Sequence, residues 1–85
     1  MAIVVVEVMP KKELLDPAGQ AVLGALKRMT FPECKAVRVG KRFELHVEGQ
    51  VSDELLSQAE EAARGLLANE TIEDVVSVRV EADLA

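Results

Sequence analysis

At 85 residues, 49% hydrophobic and 29% charged, the chain has the length and composition of one globular domain, residues 1–85, and not of a disordered segment. A net charge of −5 argues against nucleic acid as a partner, since that affinity rests on Lys and Arg neutralising phosphates. Cys34 is the single cysteine, and Glu7 interrupts the apolar start too soon for a signal peptide or membrane span, so a cytoplasmic setting without disulfides is expected.

Ala2 to Met9 is rich in β-branched residues and predicts a strand. Ala2, Val4, Val6 and Val8 share one side of it, and Ile3, Val5, Glu7 and Met9 the other. Both sides are mostly apolar, unlike the clean alternation of a strand covered on one side only. A helix follows, capped by Asp16, with Pro17 at its first position and an end near Met29. Its apolar stripe is Ala18, Ala21, Val22, Ala25, Leu26 and Met29, and Lys27 and Arg28 suit the negative end of its dipole. Gly19 stands in its first turn, a costly residue there unless something approaches the backbone closely.

The run "AVRVGKRFELHVEG" predicts a hairpin. A three-residue loop, Gly40 to Arg42, pairs Val39 with Phe43 and Val37 with Leu45, and sets Arg38 against Glu44 on the opposite side. Ser52 caps a second helix, with Asp53 and Glu54 in its first turn and a stripe from Leu55 to Leu67. Asn69 is expected to end that helix in the left-handed conformation. Val75 to Ala82 is the last strand.

The resulting order is βαββαβ. It predicts an α+β, ferredoxin-like arrangement: a four-stranded antiparallel sheet with two helices on one face. The helices would cover Val4, Val6 and Val8, leaving Ile3, Val5, Met9 and Val75 on the open face as an oligomer surface.

Chemistry is sparse in the pattern. Cys34 and His46 lack metal-ligand partners at useful spacing, and no serine stands in a nucleophile motif. Paired carboxylates such as Glu60-Glu61 read as solvated charge. Asp16, Pro17 and Gly19 form one candidate docking turn, and Arg38, Gly40, Lys41 and Arg42 form the basic hairpin tip. The topology alone leaves a stand-alone small-molecule-sensing domain open.

Three stretches are more specific: "LLDPAGQAVLGAL", "VRVGKRFEL" and "LLANETIED". In this order and spacing the chain resembles the PurS family, the small subunit of phosphoribosylformylglycinamidine synthase, over nearly its whole length. The resemblance rests on Leu15-Asp16-Pro17 with Gly19, Val37-Arg38 with Gly40-Lys41 and Glu44, and Leu67 with Asn69, Ile72 and Glu73. It implies a subunit of an ATP-dependent carbon–nitrogen ligase with glutamine as amide donor. In such an enzyme a large synthetase subunit uses ATP and Mg, and a glutaminase subunit releases ammonia. The PurS-like subunit would bridge the two and assist ammonia transfer, with no catalytic residue, cofactor or metal of its own. The resemblance also implies a homodimer or dimer of dimers.

Overall fold

The computed structural model describes residues 1–83. Its elements are β1 (Ala2–Pro10), α1 (Pro17–Met29), β2 (Lys41–Val47), α2 (Asp53–Ala62) and β3 (Glu73–Asp83). A five-residue π turn, Ala63–Leu67, carries α2 on to its end. The fold is α+β, as expected, but the sheet has three strands in the order β2-β1-β3, all antiparallel.

The hairpin is the main correction. Residues 34–40 form no strand, and β2 pairs with β1 instead, Phe43 opposite Val6 and Leu45 opposite Val4. The Val39 amide, which the expected hairpin would have used, is spent on a side chain of the turn before α1. Arg38 likewise does not face Glu44; its guanidinium donates to the Pro10 carbonyl.

The core lies on one face of β1. Val6 and Val8 are buried against Ala63 and Ala68, with Phe43, Leu45, Leu67, Val75 and Val78 packed around them. Val75 is thus on the covered face, opposite Val8, and not on the open one. An irregularity in the β1–β3 ladder between Glu7 and Val8 shifts the register there, and strict alternation from Val75 cannot anticipate it. The end of α2 is the other local correction. Ala68 closes the π turn by donating to the Ala63 carbonyl at 2.8 Å and is itself extended. Asn69 is not left-handed: the described residue with positive φ is Gly49.

Among the described residues, α2 and the π turn that continues it pack on the sheet, and α1 makes no comparable contact with it. Gly19 is the one buried residue of α1, and the helix leans on the segment that follows it rather than on the strands. The expectation of two helices on one face therefore fails. The molecule is long and thin, 47 × 29 × 14 Å. Its radius of gyration is 16.1 Å, against roughly 12 Å for a compact chain of this length.

Candidate docking site

The residues expected to meet partners fall at the junction of β1, α1 and β2. Pro17 takes the first helical position, where its missing N–H has no helical use, and Asp16 caps the helix. One Asp16 oxygen, Oδ1, accepts from the Gly19 amide at 2.9 Å; the other, Oδ2, accepts from the Val39 amide at 3.0 Å. A single carboxylate thus ties the start of α1 to the returning chain. The Val39 amide, then the Gly19 amide, with Arg38 adding attraction, hold its carboxyl below the usual carboxylate range.

Gly19 has a local explanation. A methyl group there would lie 2.1 Å from the Val37 carbonyl oxygen and 2.9 Å from Asp16 Oδ2. The returning chain occupies the place of the missing side chain, so the close approach is made by this chain itself. Gly40 is similar: a methyl group would lie 2.1 Å from Met9 Sδ and 2.5 Å from the Val8 carbonyl oxygen.

The basic residues of the tip diverge. Arg38 is turned to the Pro10 carbonyl. Lys41 Nζ pairs with Glu73 Oε2 at 3.0 Å. The Asn69 amide and then Lys41 hold the Glu73 carboxyl below its usual range. Arg42 crosses to the other face, where it pairs with Glu44 and, at 3.1 Å, with Glu81. The structure therefore brings Asp16, Pro17, Gly19 and Arg38 to one junction, and spreads Gly40, Lys41 and Arg42 along the edge of the sheet.

The open sheet face differs from its sequence reading. Arg79 pairs with Glu7 at 2.6 Å and with Glu81 at 3.2 Å, and His46 stands 3.5 Å from Glu44. Arg42 on β2 reaches Glu81 on β3, so this lattice spans the central strand. Val5, flanked by Glu44 and Arg79, is fully buried beneath it at 0% exposure. Ile3 and Met9 are half-buried. Long Arg stems cover apolar surface while their heads stay in water. The lattice was not recognised in the sequence, although Arg42/Glu44 and Arg79/Glu81 alternate at the strand period of two.

Between α1 and the returning chain runs an open groove of about 310 Å³, lined by Leu14, Leu15, Leu23, Ala36 and Val37 among others. Cys34 is half-buried, and its thiol lies 3.5 Å from the Ala36 carbonyl oxygen. Among the described residues, no three His, Cys, Asp or Glu side chains stand together as metal ligands, and no helix is long and apolar enough to cross a membrane.

Comparison with known proteins adds what this geometry lacks. The family model described as PurS, phosphoribosylformylglycinamidine (FGAM) synthase, matches residues 3–82. The chain belongs to the PurS family. It is 49% identical to the phosphoribosylformylglycinamidine synthase subunit PurS of Mycobacterium leprae, over 87% of this chain and 90% of that one. The structure of Bacillus subtilis PurS in a C2 crystal form shares its fold with a TM-score of 0.78 and 43% identity, covering 96% of this chain and all of that one (100%). A chain in the structure of PurLQS from Thermotoga maritima matches the fold with a TM-score of 0.80 at 24% identity, over 93% of this chain and 95% of that one. PurS is a subunit of FGAM synthase in purine biosynthesis, so the junction and the lattice are features of a ligase subunit.

Proposed function

We propose that this chain is the non-catalytic assembly subunit of a cytoplasmic, glutamine-dependent FGAM synthase. It bridges a glutaminase subunit and an ATP-dependent synthetase subunit and assists transfer of ammonia between them. The overall reaction converts formylglycinamide ribonucleotide, ATP and glutamine to formylglycinamidine ribonucleotide. ATP and Mg act at the large subunit, and no step passes through a residue of this chain. The observation that carries the reading is the PurS match over residues 3–82, nearly the full length. The PurLQS structure, which holds a chain of the same fold, supports the partners.

Within that reading, the junction of Asp16, Pro17, Gly19 and Arg38 is the docking point, continued along the sheet edge by Gly40, Lys41 and Arg42. Its support is rigidity. One carboxylate fixes two backbone segments, so the turn meets a partner without first losing conformational freedom. Ammonia delivery needs an ordered seam that excludes bulk water, which docked subunits provide. The chain associates with itself as a dimer or dimer of dimers. Of the residues expected on that surface, Ile3 and Met9 are half-buried on the open face, Val5 is fully buried on it, and Val75 belongs to the covered face.

Mixing tests the reading. The chain, the synthetase subunit and the glutaminase subunit are combined with glutamine and ADP and their mass is measured by size exclusion with light scattering. A single ternary species is expected. Failure of the chain to co-elute with either large subunit would refute the bridging role.

A further inference from the structure

Four consecutive residues, Arg38 to Lys41, are fixed by four different parts of the chain. The Arg38 guanidinium donates to the Pro10 carbonyl at the end of β1. The Val39 amide donates to Asp16, in the turn before α1, at 3.0 Å. Gly40 lies so close to β1 that a methyl group on it would stand 2.5 Å from the Val8 carbonyl oxygen. Lys41 pairs at 3.0 Å with Glu73, the first residue of β3. Of the two carboxylates in this set, Asp16 belongs to the proposed docking point and Glu73 lies outside it.

Glu73 differs from the other paired carboxylates among the described residues. Its side chain is 12% exposed, whereas the next most covered of them, Glu7, is 38% exposed. Both of its oxygens are used: Oε1 accepts from the Asn69 amide at 2.8 Å, and Oε2 meets the Lys41 ammonium. The turn that carries it is tied back on itself. The Asn69 carbonyl accepts from the Ile72 and Glu73 amides at 2.9 and 2.7 Å, and Asn69 Oδ1 accepts from the Thr71 amide at 3.2 Å. The Lys11 amide, donating to the Ile72 carbonyl at 3.0 Å, joins the same turn to the chain leaving β1. From this mount the carboxylate reaches across the central strand, since Glu73 stands opposite Pro10 and Lys41 opposite Val8. Val8 with Lys41 is the first rung of β2, so the ion pair sits where the returning chain enters the sheet.

We infer that Glu73 is a positioning residue of the docking edge: it acts on a partner subunit through Lys41, by fixing where residues 38–41 enter β2. The inference rests on the docking point proposed above and gives it a sign. If Lys41 were a free cation for an acidic partner surface, Glu73 would compete with that surface, and removing its charge would strengthen docking. Because Glu73 holds the edge in place, removing its charge weakens docking: the loosened residues must be ordered again at binding.

The test titrates the full chain into a mixture of the synthetase and glutaminase subunits and follows the glutamine-driven rate of FGAM formation. Glu73→Gln keeps an oxygen for the Asn69 amide and loses the charge that holds Lys41. It should raise the half-saturating chain concentration about tenfold, the equivalent of ordering roughly one freed side chain, and leave the saturated rate unchanged. Lys41→Met should do the same, and at 55% exposure its side chain is replaced without disturbing the core. The double variant should be no worse than either single one, since each loses the same pair. Asp74→Asn is the control: it removes the charge of the neighbouring Lys11–Asp74 pair, 2.7 Å apart, and should leave the half-saturating concentration unchanged. Circular dichroism checks that each variant is folded. An unchanged or lower half-saturating concentration for Glu73→Gln would overturn the inference. So would additive losses in the double variant, or an equal rise for Asp74→Asn, which would mark a general weakening of the turn. In each of those cases the wild-type chain still saturates the rate, and the bridging role stands. A wild-type chain that stimulates the rate at no concentration would refute the bridging role and the inference with it.

Discussion

Replacing Gly19 with alanine should destabilise the protein, although helix propensity alone predicts the reverse. In an unhindered helix the change is favourable by up to about 1 kcal/mol. Here the new methyl carbon would lie 2.1 Å from the Val37 carbonyl oxygen, where ordinary contact begins at 3.4 Å, so the backbone must retreat by about 1.3 Å. Overpacking of that kind costs about 1–3 kcal/mol. The retreat also carries the Val39 amide away from Asp16 Oδ2, now 3.0 Å distant. The upper part of that range applies because the obstacle is backbone rather than the end of a flexible side chain. The net expectation is a loss of about 2 kcal/mol, or a fall in Tm of roughly 10 °C for a domain of this size. Gly24→Ala is the internal control: its methyl would meet only the Arg28 guanidinium, at 3.4 Å, so it should be neutral or stabilising. Both variants are compared by thermal and guanidinium unfolding at matched protein concentration, since self-association makes Tm concentration-dependent. Equal or greater stability of Gly19→Ala than wild type would refute the packing argument.

Val5→Glu should abolish the cooperative unfolding transition rather than yield a folded monomer. A fully buried site would receive a charge costing several kcal/mol in a domain whose total stability is about 4–13 kcal/mol; a folded variant with native circular dichroism would contradict the placement of Val5. Asp16→Asn keeps a helix cap but loses the charge. The Asp16 carboxyl is lowered on folding from 3.8, so its contribution is complete above that value and is lost as the pH falls through the lower folded value. The variant should show a shallower loss of stability below about pH 4, read from guanidinium midpoints. Glu44 and Glu73, also lowered from 4.5, add acid sensitivity of the same sign. An unchanged acid limb would show that the clamp is not electrostatic.

Local signals were legible wherever one residue type fixes one backbone feature. Asp16-Pro17 marked the start of α1, and Ser52, whose Oγ accepts from the Leu55 amide at 3.1 Å, marked that of α2. The strands β1 and β3 followed from their β-branched runs. Pairing was less legible. "AVRVG" has strand composition, but whether it joins a sheet depends on a partner edge, and within this chain Asp16 and Gly19 hold it at the helix start. The face of Val75 depended on a register shift that alternation cannot encode. Val5 reads as an apolar surface residue, yet it is fully buried between Glu44 on β2 and Arg79 on β3. The Asp16 turn could be recognised as special from its residues; its binding of the returning chain is a tertiary fact.

The central claim is that this chain joins two catalytic subunits and performs no chemistry. It is tested most directly by FGAM formation by the synthetase and glutaminase subunits, with and without the chain, using glutamine or ammonium chloride as nitrogen donor. The account predicts that omitting the chain collapses the glutamine-driven rate and spares the ammonium-driven one. An undiminished glutamine-driven rate in its absence would contradict it.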